Sequence, residues 1–259
     1  KGALLLNSAT ATLDNCSAFD GGYGVFVTGT NSSFTGTRMT IDSMKKSGVE
    51  VFVETPASVT IDSSRIHHCE WGIVINGPCD AYVRHDTVEH NRRDGITYLR
   101  TFARTNHCVV SENGQNGVYC FDLGTVPEDF DFTDNLILGN GTTGNWDATG
   151  YAGLLLYNTY LYATENNLFA KNPIGIRVNV GCASARSVQN SWNRFDSNYV
   201  SVALDDRGHT ELGIQTLQFA IGKSNSSTLR SVESGMRHAT AANSSGGFLQ
   251  CNRWTPPQI

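Results

Sequence analysis

Glycines recur at a nearly fixed spacing through the first two thirds of this 259-residue chain. Successive boundary glycines lie 22 to 24 residues apart, with one longer interval of 36, along the series Gly24, Gly48, Gly72, Gly95, Gly117, Gly153 and Gly175. A repeat of this length is typical of solenoids, in which each unit buries its apolar side chains against its neighbours. Functional residues are therefore expected to form columns across successive units rather than contiguous motifs.

Each unit contains three short segments in which apolar and polar residues alternate. In the unit that begins at Gly48, residues 49–54 read VEVFVE, residues 58–62 read SVTID, and Ile66 marks the third segment. Alternation of this kind places one face of a strand inside and the other outside, and helical periodicity is absent here. The pattern predicts an all-β parallel β-helix with three short strands per coil.

A second column precedes the boundary glycines by three or four residues in most units. It consists of Cys69, Asn91, Asn113, Asn140, Asn172 and Asn198. Stacked asparagines can join their side-chain amides from coil to coil, which predicts a ladder at this turn. The alternative is that asparagine is simply frequent in turns.

The stretch VRHDTVEHNRRDGI at residues 83–96 gives the repeat in its clearest form. In this pattern the chain, over roughly residues 9 to 204, resembles the right-handed parallel β-helix superfamily, which includes pectate-lyase-like enzymes, alginate epimerases and lyases, and phage tailspikes. The resemblance implies a carbohydrate-directed protein that is extracellular or on a virion surface. The fold hosts many chemistries, and the Asp-Pro-His and Arg-x-Pro-x-x-Arg motifs of the superfamily's enzymes do not occur in this sequence.

The domain organisation follows from where the repeat is regular. Residues 1–204 are predicted to form the β-helix, with a long-loop insertion within 124–152, and residues 205–259 a C-terminal cap. Leu229, Val232, Met236 and Ala239 have helical spacing, which predicts a short amphipathic helix near 228–242; residues 248–254 are a candidate final strand. Because the chain begins at Lys1, we expect a processed product or a fragment.

Bulk properties exclude several classes of partner. The net charge is −5 and no run of Lys or Arg occurs, which argues against nucleic-acid binding. No apolar stretch approaches the length of a membrane span. The seven cysteines form no C-x-x-C pair, so we expect buried free thiols rather than a disulfide framework or a zinc ribbon.

The first candidate site is an unusually apolar outer face formed by residues that follow the boundary glycines. Large exposed apolar patches mark partner or ligand surfaces, and sugar rings stack on aromatic side chains. A polysaccharide groove is one interpretation; a homotrimer interface, or cover by the C-terminal segment, is the alternative. The substrate-binding candidates are Tyr119, Phe121, Trp146, Tyr151, Tyr157 and Arg177.

Three charged residues near this face are candidates for catalysis. Arg100 and Asp122 hold the same phase in neighbouring units, and Asp147 lies between two aromatic residues in the long unit. Two carboxylates flanking a sugar chain would suit a glycosidase, and a cation beside a carboxylate would suit acid–base chemistry. A surface salt bridge and a purely structural loop are the corresponding alternatives.

A third column combines His68, His90 and Glu112 at one phase of three successive units. Imidazole and carboxylate groups at this spacing can hold a divalent metal or supply a general base, although ligands on a straight line surround an ion poorly. No other cofactor is expected. The leading hypothesis is a polysaccharide hydrolase or lyase acting along the β-helix face. The alternatives are a non-enzymatic receptor-binding or structural β-helix, and a C5-epimerase or metal-dependent lyase.

Overall fold

A computed structural model describes residues 4–7, 9–123, 130–145, 150–157, 159, 163–179 and 193–205, together with four short strands in the C-terminal region. The described chain is an all-β solenoid in which three parallel sheets run along the length of the stack. The predicted fold class is therefore confirmed. Among the described residues, no helix is long and apolar enough to cross a membrane.

Each of the first seven coils contributes one strand to each sheet, and the later strands extend sheets A and C. Sheet A contains β1 (Leu4–Asn7), β4 (Val25–Gly29), β7 (Ser47–Val53), β10 (Trp71–Asn76), β13 (Ile96–Leu99), β16 (Val118–Phe121), β19 (Ala152–Tyr157), β22 (Ile174–Asn179), β24 (Val200–Asp205) and β26 (Leu229–Val232). Sheet B contains β2 (Thr10–Asp14), β5 (Ser33–Thr37), β8 (Ala57–Asp62), β11 (Cys79–Arg84), β14 (Phe102–Asn106), β17 (Phe130–Thr133) and β20 (Ala163–Glu165). Sheet C contains β3 (Ser17–Phe19), β6 (Thr40–Asp42), β9 (Arg65–His67), β12 (Thr87–Glu89), β15 (Val109–Ser111), β18 (Leu136–Leu138), β21 (Leu168–Ala170) and β23 (Arg194–Asp196).

The core consists of columns of like side chains. The strands pair in parallel so that each inward residue lies beside its equivalent in the next coil, as Ile73 does beside Ile96 in sheet A. Phe132, Phe169 and Phe195 form an internal stack, with ring centroids 6.2 and 5.4 Å apart. Burial of such columns supplies the main favourable free energy of folding, and each coil gains it only through its neighbours.

The boundary glycines mark the closest approach between coils. A Cβ atom at Gly72 would lie 2.3 Å from the carbonyl oxygen of Gly95, and one at Gly95 would lie 2.7 Å from that of Gly117. The backbone oxygen cannot rotate away as a side chain could. Glycine is therefore required where the chain passes from sheet C to sheet A, and this requirement produces the repeat seen in the sequence.

The predicted asparagine ladder is present at this same corner. Asn91 donates through Nδ2 to Oδ1 of Asn113 at 3.0 Å, and Asn113 donates in the same way to Asn140 at 2.9 Å. The series continues through Asn172 to Asn198 at 3.2 Å per step. Every member also accepts a backbone N–H from the coil before it, so the buried turn keeps its polar groups paired.

A second ladder, which the sequence did not predict, occupies the corner between sheets B and C. Asn135 donates to Asn167 at 3.0 Å, and Asn167 donates to Asn193 at 2.9 Å. Earlier coils place Asp86 and Cys108 at this position: Ser64 N–H donates to Asp86 Oδ1 at 2.6 Å, and Cys108 N–H donates to Asn135 Oδ1 at 2.9 Å.

Asp86 is an unusual member of this ladder because it is a buried carboxyl group. Burial raises the pKa of Asp86 to about 8. Its Oδ2 atom is buried and makes no hydrogen bond to any described residue. The folded protein therefore holds this side chain protonated at neutral pH.

The long unit that begins at Gly117 still follows the coil pattern. Strands β17 and β18 lie inside the insertion predicted within 124–152, so Phe130 and Asp131 belong to sheet B rather than to a loop. The additional residues lie in two connections, 122–129 and 139–151, which replace the shorter 100–101 and 112–117 of the preceding coil. The extra length of this unit is therefore divided between two connections.

The predicted C-terminal helix is wrong at the residues that the structure describes in that segment. Leu229–Val232 is strand β26 and pairs in parallel with β24, and Ala239–Thr240 is strand β27. The last strand of a stack presents unpaired backbone groups. Hydrogen bonds to these groups stabilise a strand here more than the weak helical spacing of apolar residues stabilises a helix. The predicted final strand is confirmed as β28 (Phe248–Asn252), which pairs antiparallel with β25 (Thr216–Ala220) and β27.

The cysteines agree with the prediction of free thiols where they are described. Cys69, Cys79, Cys108 and Cys120 are buried and free, and Cys16 is exposed and free. Burial raises the pKa of both Cys69 and Cys79 to about 11, so these thiols serve as small core groups rather than as nucleophiles.

Candidate functional site

The outer face of sheet A carries two parallel columns of side chains. One runs Val74, Thr97, Tyr119, Leu155 and Arg177, and the other runs Phe52, Asn76, Leu99, Phe121 and Tyr157. Both columns were predicted from the phase of the repeat. Parallel in-register pairing brings residues from six coils onto one continuous surface.

Aromatic rings dominate the middle of this surface. The rings of Phe121 and Tyr157 are stacked with centroids 5.1 Å apart and an interplanar angle of 18°. Tyr119 meets Phe121 edge-on at 6.3 Å. Tyr157 is 37% exposed, and Phe52, further along its column, is 42% exposed. The result is a partly exposed, flat apolar surface.

Polar groups border the aromatic rings where the strands end. Arg100 and Asp122 directly follow β13 and β16, and their backbone N–H groups donate to the carbonyls of Phe121 and Tyr157, both at 3.0 Å. Their φ angles are 55° and 53°, so the same left-handed turn recurs in both coils. The Arg100 guanidinium donates to Asn76 Oδ1 at 3.0 Å.

The remaining residues predicted for this site are placed as follows. Arg177 is half-buried on β22, beside Leu155 of β19. Tyr151 is half-buried at the end of the 139–151 connection, where its hydroxyl accepts a hydrogen bond from Gln115 Nε2 at 3.1 Å. Trp146 and Asp147 lie outside the described residues. The grouping of Asp147 with Asp122 thus stays a prediction.

The histidine and carboxylate residues predicted as a third column lie together at the C-terminal ends of three neighbouring strands of sheet C. His90 Nε2 is 2.8 Å from Glu112 Oε2, and the rings of His68 and His90 are 5.5 Å apart. His68, His90 and Glu112 all have φ near +55°, between 54° and 55°. They occupy one left-handed turn in three successive coils.

The structure adds Asp42, which the sequence reasoning missed, to this region. Asp42 pairs in register with His67, and its Oδ1 atom lies 3.1 Å from His68 Nδ1 and 3.3 Å from His67 Nδ1. The two Nδ1 atoms are 2.8 Å apart. The repeat could have identified Asp42, because Asp42 precedes His67 by about one period and therefore lies beside it in the neighbouring coil.

The electrostatic environment favours an ionised Asp42 and a neutral His67. Partial burial raises the pKa of Asp42, but hydrogen bonds from Ser43 and His68 and the nearby imidazoles outweigh it, so the net pKa lies below its usual value. Burial lowers the pKa of His67, and the attraction of Asp42 only partly offsets this. Three donor atoms of the kinds that hold metal ions in proteins therefore converge here, and Asp42, His67 and His68 form the one such group among the described residues.

Comparison with known protein families agrees with this architecture. Residues 1–161 match the family described as the right handed beta helix region. The chain belongs to this family of right-handed β-helix proteins. No curated protein and no solved structure matches the chain.

Proposed function

We propose that this protein binds an extended polysaccharide along the outer face of sheet A. The observation that carries the proposal is the stacked pair of Phe121 and Tyr157 with Tyr119 at its edge. Flat, partly exposed aromatic rings suit the apolar faces of sugar rings, and an exposed apolar surface of this kind marks a ligand or partner site.

The form of the surface favours a polymer over a single small sugar. The columns continue from β7 to β22, and successive coils are about 4.8 Å apart. A ligand that follows the columns would contact several coils in the same way. Solenoids use extended surfaces of this kind for extended ligands.

The polar border suits recognition of hydroxyl or carboxylate groups. Arg100 has a planar guanidinium that can bind a carboxylate with two hydrogen bonds, and it is held in position by Asn76. Arg177 adds a second cation on the same face, three coils further along. We therefore favour polysaccharides that contain acidic sugars.

Cleavage of the bound chain is the catalytic part of the proposal. Asp122 is half-buried at the end of the aromatic column, where it would lie beside a sugar stacked on Phe121 and act as a general acid or base. The sequence offers Asp147 as the second carboxylate, as glycoside hydrolysis requires, and Arg100 as a stabilising cation.

The test is incubation of the protein with a panel of acidic and neutral polysaccharides. The wild type is expected to bind at least one acidic member and to release new reducing ends or unsaturated uronates. Asp122→Asn is expected to retain binding and the wild-type thermal stability while product formation falls by at least about a hundredfold, the usual scale of general acid–base catalysis. Unchanged product formation in the variant would remove Asp122 from the mechanism, and no binding to any member would overturn the proposal as a whole.

A further inference from the structure

We propose that Asp42, His67 and His68 form a binding site for a divalent transition-metal ion, and that Zn²⁺ fits the donor set best. The site lies at the C-terminal ends of strands β6 and β9 of sheet C and in the turn that follows β9. It is independent of the polysaccharide surface, which lies on sheet A.

The backbone explains how two consecutive histidines come to share one site. His67 is the last residue of β9, and along a regular strand His68 would point to the opposite face. Instead, His68 has a φ of 54°, and this left-handed turn directs its side chain back toward His67. The two rings meet edge-on with centroids 4.8 Å apart. Ligands on a straight column surround an ion poorly, and this turn removes that difficulty.

The donor atoms have the separations that a metal ion requires. Bond lengths of about 2.0–2.2 Å from zinc to nitrogen or oxygen place neighbouring ligand atoms about 3.3–3.6 Å apart in a tetrahedron and about 2.8–3.1 Å apart in an octahedron. The edges of the triangle formed by His67 Nδ1, His68 Nδ1 and Asp42 Oδ1 measure 2.8, 3.1 and 3.3 Å. Only a small movement of the imidazole rings would be needed to bring all three atoms to metal-binding distance.

Hydrogen bonds alone satisfy this triangle poorly. The carboxylate oxygen is an acceptor only, and a neutral imidazole carries a proton on just one of its nitrogens. If one Nδ1 atom carries a proton, that proton can point directly at only one of the other two atoms of the triangle. The remaining contact then brings two lone pairs together. A cation between the three atoms would contact all of them at once.

The chemistry of the donors selects the class of ion. Two imidazole nitrogens suit Zn²⁺, Cu²⁺ or Ni²⁺, whereas Ca²⁺ and Mg²⁺ prefer oxygen ligands. The Ser43 hydroxyl donates to Asp42 Oδ1 at 3.0 Å and orients the carboxylate, as groups hydrogen-bonded to the ligands do in metal sites. His90 is engaged by Glu112 in the next coils and does not join the triangle.

The site is open on one side. The side chains of His67, Asp42 and His68 are 12%, 28% and 56% exposed. An ion can therefore enter past His68, and water can occupy the remaining coordination positions. An open site with three protein ligands has the form that catalytic zinc sites take.

The proposal is tested by calorimetric titration of the chelator-treated full chain with ZnCl₂ near pH 7.5, with CaCl₂ and MgCl₂ as comparison ions. We expect one Zn²⁺ per chain, a rise in Tm with zinc, and no heat with Ca²⁺ or Mg²⁺. His68→Ala and Asp42→Asn should each weaken zinc binding by at least about tenfold, since loss even of outer-shell partners costs tenfold to a hundredfold. Affinity should also be lower at pH 5.5 than at pH 7.5, because protons compete with the metal ion for its ligand atoms.

His85→Ala is the matched control. His85 has a φ of 55° and lies 3.1 Å from Asp62, so it occupies the same kind of turn beside a carboxylate, at the other corner of sheet C. Its replacement should leave zinc binding unchanged and cost a similar amount of stability as His68→Ala. The absence of stoichiometric zinc binding, an unchanged affinity in both site variants, or an equal loss in His85→Ala would each overturn the proposal.

Discussion

Replacing Asp86 with asparagine is expected to stabilise the fold at pH 7 by about 2–4 kcal/mol, because one pKa unit corresponds to about 1.4 kcal/mol. Burial raises the pKa of Asp86 from 3.8 to about 8. At pH 7 the unfolded chain carries an ionised carboxylate, whereas the folded chain must bind a proton to bury this group. Asparagine avoids that cost and provides an Nδ2 donor, as Asn135 does when it donates to Thr105 O at 2.7 Å.

The same group sets a pH dependence of stability with a definite sign. Because the folded-state pKa is raised, the contribution of Asp86 is fully present below the unfolded pKa near 3.8 and is lost as the pH rises toward about 8. Asp86→Asn should remove this slope. The measurement is the free energy of unfolding in urea at several pH values from 4.5 to 8.5.

An exposed carboxylate provides the control for this prediction. Asp80 is exposed on sheet B, and Asp80→Asn should change stability by no more than about 0.5 kcal/mol at any of these pH values. Identical pH profiles for the wild type and Asp86→Asn, or a variant that is less stable at pH 7, would contradict the interpretation of Asp86 as a protonated ladder residue.

Replacing Asn113 with alanine is expected to lower the free energy of unfolding by about 3–5 kcal/mol, since each buried polar group left unpaired costs about 1–3 kcal/mol. The Asn113 side chain accepts hydrogen bonds from Asn91 N and Nδ2, both at 3.0 Å, and donates to Val88 O at 3.1 Å and to Asn140 Oδ1 at 2.9 Å. Alanine would leave the partners in both neighbouring coils without this bond.

Asn106→Ala is the comparison, measured by the same urea unfolding. Asn106 ends β14 on the outer face of sheet B and donates one long hydrogen bond, of 3.4 Å, to Asp131. Its replacement should cost less than about 1 kcal/mol. If the two variants lost the same amount of stability, the ladder would contribute no more than the half-buried Asn106 with its single long hydrogen bond.

The regular part of the fold could be predicted from the sequence because it depends on period alone. The glycine spacing reflects a backbone approach that excludes a Cβ atom at positions such as Gly72, and alternation identifies the inner and outer faces of every strand. The first asparagine ladder followed from the same phase. The second did not, because Asp86 and Cys108 interrupt its series and the long unit changes its spacing.

The local backbone geometry could not be predicted from the period of the repeat. The repeat brings His68, His90 and Glu112 into one column, but the left-handed turn that directs His68 toward His67 and Asp42 is a property of the folded chain. The C-terminal strand β26 was missed for a related reason. The spacing of Leu229 and Val232 is compatible with a helix. In the folded chain, however, the unpaired edge of β24 is available, and this segment pairs with it as a strand.

The phase of the repeat predicts that Tyr119, Phe121 and Tyr157 share one face of sheet A, but the character of this surface depends on ring orientation. Phase alone places Phe121 and Tyr157 in adjacent coils. The stacking of the two rings at 18° and the edge-on contact of Tyr119 create the flat surface on which the proposed function rests. Alternation in the sequence carries no information about these angles.

The most direct test of that function is the affinity of the wild type, Tyr157→Ala and Phe19→Ala for the polysaccharide that the wild type binds best, with sedimentation to establish the oligomeric state. Both residues are exposed aromatics, but Phe19 ends β3 on sheet C, away from the proposed surface. Tyr157→Ala is predicted to weaken binding by about tenfold, since the loss of a central aromatic contact commonly costs more than 1 kcal/mol. Phe19→Ala should bind as the wild type does. Equal affinities for all three proteins, or a stable trimer that buries Tyr157, would contradict polysaccharide binding on sheet A.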